Sequence, residues 1–176
     1  MRVLTAATAA GPLTLEPLAQ AHAAGMYALL SDPALYEFGQ APPASAGQLA
    51  ERYARLEARH SPDGVELWLN WVLRLADGRL AGYVQATILP SDVCFVAYLV
   101  GRAHWRQGLA RAAVGAMLAE LAAAYDVERF AAVLEAANYR SRGLLESLGF
   151  TPAAADEARL YAGAADALVM VRAAAV

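Results

Sequence analysis

"WRQGLAR", residues 105–111, stands between the apolar run "VCFVAYLV" (93–100) and the helix-like run "AAVGAMLAELAAAY" (112–125). A strand gives way to a helix there, with a glycine and two arginines at the junction. The first turn of a helix exposes unpaired N–H groups and a partial positive charge, so it holds anions. Glycine lets the backbone approach a ligand closely. Arg102, His104, Arg106 and Arg111 fall within ten residues with no carboxylate among them. The pattern reads as a phosphate cradle built on Gln107, Gly108, Leu109, Ala110 and Arg111. A solvated arginine-rich loop has the same composition. Neither GxxxxGK[ST] nor GxGxxG is present, which argues against a nucleoside triphosphate or dinucleotide site.

Around this junction the periodicity predicts strand 93–100, helix 108–124 and strand 129–136, a strand–helix–strand unit. Strand 93–100 is apolar on both faces and therefore central. "NYRSRGLLESLGF" (138–150) reads as a helix with Asn138 as its cap and Gly149 as its end. Upstream, 13–18 alternates as a strand, 19–32 is helical up to Pro33, and 45–60 carries Leu49, Tyr53 and Leu56 as one apolar stripe. The charges between them read as a solvated face.

Strands 66–75 and 79–88 flank Asp77-Gly78, a two-residue hairpin signal. That turn predicts pairs Leu75–Leu80, Leu73–Gly82, Trp71–Val84 and Leu69–Ala86, which match the apolar faces. The opposite face carries Trp68, Asn70, Tyr83, Gln85 and Thr87. It is either covered by the early helices or water, or it forms one wall of an acceptor site. "EARLYAG" (157–163) and "ALVMVRAA" (167–174) read as two closing strands.

Two of these motifs carry a resemblance. "WRQGLA" ahead of an apolar helix resembles motif A of the GNAT acyl-CoA N-acyltransferases, [R/Q]xxGx[G/A]. "NYRSRGLLESLGF" resembles their later landmark, Asn-x-x-Ser before a helix ending Leu-Gly-Phe. Trp105 stands in the first motif position, as in the branch with ribosomal-protein N-terminal (Rim-type) and aminoglycoside or diamine acetyltransferases. The resemblance covers roughly residues 11–175. It implies an α+β, three-layer GNAT fold, with a central, mostly antiparallel sheet of six to seven strands flanked by helices. A splayed strand pair would hold CoA.

By the same resemblance, acetyl-CoA is the co-substrate. Its pyrophosphate would lie on Gln107 to Arg111 with Arg106 alongside, and its pantetheine arm along Tyr98, Leu99 and Val100. Asn138 and Ser141 would face the sulfur. The backbone near Tyr98 would donate to the thioester oxygen. The acceptor amine, a protein N-terminus or a small molecule, would lie against Trp68, Asn70, Tyr83 and Gln85. Many relatives carry a tyrosine acid four residues before the glycine of Leu-Gly-Phe; here that position is Leu145. Many also carry a glutamate on the strand before motif A, and 93–100 has none. Ser141 is then the candidate acid, unless it only caps its helix. Glu135, Glu66, His104 and Tyr98 are left as candidate bases. Without the usual acid and base, a non-catalytic acyl-CoA-binding or interaction module stays open beside the enzyme.

Composition narrows the alternatives. The 176 residues suit one domain, 1–176, with a sizeable core. No segment is long and apolar enough to span a bilayer, and the N-terminus lacks the hydrophobic stretch of a signal peptide, so a cytoplasmic protein is expected. A net charge of -3 argues against general nucleic-acid binding. The single cysteine, Cys94, excludes an internal disulfide and reads as core rather than nucleophile. His22, His60 and His104 are dispersed, so no metal is expected. A homodimer is compatible with all of this. There is no lysine among the fourteen basic residues, in keeping with a codon bias that also favours alanine. An enzyme of this composition cannot modify its own lysine side chains.

Overall fold

A computed structural model describes residues 1–162 and 167–174. Its centre is one sheet of eight strands: β1 (Leu4–Thr8), β2 (Gly11–Pro17), β3 (Leu67–Leu75), β4 (Leu80–Ile88), β5 (Val93–Val100), β6 (Arg129–Glu135), β7 (Thr151–Pro152) and β8 (Ala167–Ala173). The spatial order is β1-β2-β3-β4-β5-β6-β8-β7. Only β5 and β6 run parallel, because helix α3 (Leu109–Ala124) connects them; every other pair is antiparallel.

Alternation along the strands sorts side chains to two faces. Leu15, Trp71, Leu73, Val84, Phe130 and Met170 point to one face and are buried under α3 and α4 (Tyr139–Ser147). Val114, Met117, Leu118 and Leu121 of α3 pack there at helical spacing. Each such side chain, fully buried, contributes about 2 kcal/mol. On the other face Val72 packs with Met26, Leu30, Leu49 and Tyr53 of α1 (Ala23–Leu30) and α2 (Ala46–Glu57). Near the far edge, Val93, Ala131, Val169 and Val171 meet α5 (Ala155–Tyr161). The result is the expected three-layer arrangement.

Glu120, a charge inside the apolar stretch of α3, is buried and meets Arg2 at 2.8 Å. The Arg2 carbonyl in turn accepts from the Trp71 indole at 2.9 Å. The N-terminal segment is thereby tied to the core on both sides.

Three expectations change. The sheet has eight strands rather than six or seven, because Leu4–Thr8 and Thr151–Pro152 also pair. Alanine-rich 4–8 has little alternation to reveal it. "EARLYAG" is not a strand: Ala155–Tyr161 is helical, with Asp156 and Glu157 complementing the positive end of its dipole. Glu157 also forms an ion pair with Arg129, and Tyr161 meets Phe95 edge-on at 5.3 Å. Gly163, the last residue of that expected strand, lies outside the described residues.

The hairpin loop is one residue longer than expected. Leu75 N–H donates to the Arg79 carbonyl, and Gly78 takes the left-handed conformation at φ 88°. Arg74 therefore faces Leu80, and a shift between Leu73 and Arg74 restores the predicted register. Leu73–Gly82, Trp71–Val84 and Leu69–Ala86 pair as expected, while Leu75–Leu80 does not. A three-residue loop with a bulge satisfies the same sequence.

At Gly82, β4 lies hard against β5. A β-carbon there would lie 2.1 Å from the Leu99 carbonyl oxygen and 2.9 Å from the Val100 α-carbon. Both are backbone atoms, so relief requires moving β5 itself. Gly82→Ala should cost at least about 3 kcal/mol. Urea denaturation followed by circular dichroism measures it; an unchanged midpoint would mean the two strands are not in this contact.

Candidate active site

β5 and β6 pair only at Val93–Arg129, Cys94–Phe130 and Phe95–Ala131. β5 continues to Val100 and β6 to Glu135, so the two strands part beyond Phe95. The gap is a cleft of about 680 Å³, within the usual range for small-molecule sites.

Hydrogen bonding decides which groups of β5 face the gap. Gly101 N–H donates to the Ala81 carbonyl at 2.8 Å, in register with the Gly82–Val100 pair. Antiparallel bonding alternates, so Leu99 and Ala97 bond toward β4. The N–H and C=O groups of Tyr98 and Val100 then point away from β4, toward the cleft. The Val100 carbonyl is taken by the Trp105 indole N–H at 2.7 Å. The Tyr98 backbone groups stay available as an edge on which an extended chain can pair.

At one end of the cleft the chain turns into α3. Arg106 and Gly108 both have positive φ, 59° and 75°. Such conformations align successive N–H groups on a concave surface. The first helical bond runs from Ala112 N–H to the Gly108 carbonyl. Among the described residues, no N–H from Arg106 to Arg111 has a hydrogen-bond partner. A β-carbon on Gly108 would meet nothing within 4 Å, so the space in front of these donors is open. Arg106 and Arg111 line the same space. The arrangement offers donors suited to an anion with several oxygens. Of the predicted cradle, Gly108, Leu109, Ala110 and Arg111 line the cleft; Gln107 does not, because its amide folds back to donate to the Ala103 carbonyl at 3.0 Å.

Tyr98 and Ser141 meet across the gap. The Tyr98 hydroxyl donates to the Ser141 backbone carbonyl at 3.1 Å. Burial pushes the Tyr98 hydroxyl up to about 12, so it stays protonated at neutral pH. Helix α4 is capped by Asn138, whose side-chain oxygen accepts from Ser141 N–H at 3.0 Å. The Ser141 hydroxyl is therefore not the cap. It has no hydrogen-bond partner among the described residues, and Ser141 lines the cleft. Leu145 is fully buried in the main core, while Leu144 lines the cleft in its place. Cys94 is buried, and burial pushes its thiol up to about 12, which leaves it inert.

The other candidates are spread out. Glu135 sits at the end of β6, where a β-carbon on Gly39 would be 3.6 Å from its carboxylate. It does not line the cleft, whereas His104 does. Glu66 accepts from the Trp68 indole at 2.8 Å in a separate turn. Asn70, Tyr83 and Gln85 line a second cavity under α2; Trp68 is not among its walls.

One group escaped the sequence reading. Arg140 lies over the rings of Trp105 at 4.7 Å, Phe38 at 5.2 Å and Tyr139 at 5.6 Å, and pairs with Glu37. This cluster joins the segment after α1, the cradle loop and α4 over the cleft. Arg140 was visible in the landmark "NYRSRGLL", yet apart from its neighbour Tyr139 its partners lie 35 or more residues away and nothing local announces them.

Residues 12–151 match the family model described as "Acetyltransferase (GNAT) domain". Among solved structures, the chain is similar to RimL, a ribosomal L7/L12 alpha-N-protein acetyltransferase in complex with coenzyme A. The TM-score is 0.79 at 16% identity, covering 97% of each chain. Mycobacterium smegmatis RimJ in complex with CoA-disulfide is similar at TM-score 0.78 and 19% identity, covering 98% of this chain and 87% of the other. A chimera of Vibrio cholerae spermidine N-acetyltransferase SpeG and hSSAT follows at TM-score 0.72 and 20% identity, covering 92% and 95%. These likenesses show the fold. No curated protein matches the chain in sequence.

The division of labour at the start of α4 is open to test. Asn138→Ala should lose the cap and cost about 1 kcal/mol of stability. Ser141→Ala removes a hydroxyl that caps nothing and should leave the urea midpoint nearly unchanged. The reverse order of effects would assign the cap to Ser141.

Proposed function

The chain belongs to the GNAT acetyltransferase family, and on that premise we propose that it transfers an acetyl group directly from acetyl-CoA to a primary amine. The acceptor is a protein N-terminus or a small-molecule amine. The observation that carries this reading is the run of unpaired N–H groups from Arg106 to Arg111, opening onto a cleft whose side wall is the free edge of β5. The chemistry of those donors fits a pyrophosphate: fixed dipoles, a helix start and two guanidiniums. The edge at Tyr98 fits an amide-bearing arm.

Acetyl-CoA supplies an activated thioester when bound. The chain's own residues do the rest. The cradle holds the phosphates, and the β5 edge aligns the arm. The Tyr98 N–H is the donor for the carbonyl oxygen as charge builds there, in a partly desolvated cleft where such a donor counts most. Transfer exchanges a C–S for a C–N bond; the thiolate takes up a proton and the amine gives one up. The Ser141 hydroxyl, free of other bonds, is the group on the cleft wall that can hand over the first proton, directly or through water. The Tyr98 hydroxyl, with its raised pKa, orients the Ser141 peptide instead. Glu135 stands near segment 37–40, where it attracts an ammonium and can relay its proton. A peptide α-amine, with a pKa near 8, needs little help to become neutral, and a lysine amine needs more. The acceptor lies against Asn70, Tyr83 and Gln85.

Acetyl-CoA should raise the melting temperature more than ATP or NAD does, since a ligand at about 100 times its Kd adds about 2.7 kcal/mol. Equal shifts for all three would remove the cradle from the reading. Gly108→Glu puts a carboxylate into the open space before the donors. It should abolish that shift while the fold persists.

Ser141→Ala should lower kcat with the KM for acetyl-CoA little changed, the signature of an interaction made mainly in the transition state. A full rate in single-turnover acetylation would leave water as the proton source. Tight CoA binding with no turnover across an amine panel would instead favour the non-catalytic module, the reading that the apolar Leu145 supports.

A further inference from the structure

The second cavity, about 330 Å³, lies between α2, segment 41–43 and strands β3 and β4. Its walls are polar in one sense only. Arg52 and Arg55 line it, and neither pairs with a carboxylate among the described residues. No Asp or Glu lines it. Asn70 is 6% exposed, and its side-chain amide, without a protein partner among the described residues, still reaches solvent. Tyr53 is 3% exposed, and its hydroxyl is buried without a partner. Burying such a group unpaired costs about 1–3 kcal/mol, and a ligand that supplies the partner recovers it.

This cavity adjoins the reaction cleft. Tyr83, on its wall, pairs across the sheet with Leu99, on the wall of the cleft. Neighbouring strands are about 4.8 Å apart. The connecting segment runs past both sites: Glu37 and Phe38 line the cleft, and Ala41, Pro42 and Pro43 line the second cavity. Between them, Gly39 lies beside the Glu135 carboxylate. Beside this segment, the Glu135 carboxylate stands near Gly39 and Arg52 and Arg55 stand at the cavity end, while Glu37 is paired with Arg140.

We propose that the acceptor is an amine carrying a carboxylate, and that this cavity binds the carboxylate through Arg52 and Arg55, with the amine at the Glu135 end. The proposal rests on the acetyltransferase reading above and narrows its substrate class. A carboxylate accepts from both guanidiniums and from the amide of Asn70. A polyamine or aminoglycoside brings only cations to a wall that already holds two, and is excluded by like-charge repulsion. The carboxylate can come from an acidic side chain near a peptide N-terminus or from a free amino acid.

The test is calorimetric binding to the full chain saturated with CoA, at low salt, where exposed arginines are least screened. The probes are the C-terminally amidated peptides Ser-Glu-Glu-Ala-Ala-Ala, Ser-Gln-Gln-Ala-Ala-Ala and Ser-Lys-Lys-Ala-Ala-Ala, free glutamate, and spermidine. The acidic peptide or glutamate should bind at least roughly tenfold tighter than the glutamine peptide, the value of one charge-assisted contact. Which of the two binds identifies the source. The double variant Arg52→Glu, Arg55→Glu should lose that preference and favour the lysine peptide, with CoA affinity unchanged as the check on folding. Equal binding of acidic and neutral peptides, tighter binding of spermidine, no binding of any probe, or a preference that survives the double variant overturns the proposal. Acetyl transfer to the same probes, measured in parallel, separates the two readings. A carboxylate preference without turnover keeps the cavity assignment and defeats the acetyltransferase; turnover without preference does the opposite.

Discussion

Everything the site contains depends on the parting of β5 and β6 after three paired residues. Had the strands stayed together, the backbone groups of Tyr98 and Val100 would have been consumed in the sheet. Each strand is instead satisfied on its outer side. β5 stays paired with β4 as far as Val100, and β6 with β8 as far as Glu135. The gap is bridged by a side chain rather than by ladder bonds, the Tyr98 hydroxyl on the Ser141 carbonyl, while the Trp105 indole takes the Val100 carbonyl at its rim. Side chains can span the gap and leave room; a ladder cannot.

The second dependence is on how α3 begins. A helix whose first turn is not capped by a side chain is short of partners. Here Gly108 is the cap residue and contributes no side-chain bond. The unpaired donors are tolerated because they face water in an open cleft, and they are then free for an anion. By contrast, α4 begins with a conventional Asn138 cap. Two helices border one cleft, and only the uncapped one is suited to phosphate.

Charge is distributed to match. Arg106, Arg111 and Arg140 surround the cleft, with Glu37 tied to Arg140. Arg52 and Arg55 stand over the neighbouring cavity. A chain of net charge -3 therefore presents two cationic surfaces, with the Glu135 carboxylate beside Gly39 on the segment that joins them. No helix among the described residues is long and apolar enough to cross a membrane.

The sequence by itself determined the strand–helix–strand unit around residues 93–134, the β3–β4 register beyond the turn, and the glycine-and-arginine junction. These are local facts: alternation, helical spacing and a glycine where the backbone turns through positive φ. It also determined which motifs the chain shares with GNAT acyltransferases. Only the tertiary structure decided that Arg140 would gather Trp105 and Phe38 beside its neighbour Tyr139, and that Leu145 would be buried while Leu144 lines the cleft. The same holds for Arg52 and Arg55, which read as a solvated helix face and turn out to overhang a cavity. It also turned 155–161 into a helix, whose Ala158 and Tyr161 pack on Val93, Ala131, Val169 and Val171, strand residues outside that segment. The physical reason is the same in each case. Periodicity reports which face of an element is buried, but what the other face meets depends on residues far away in the chain.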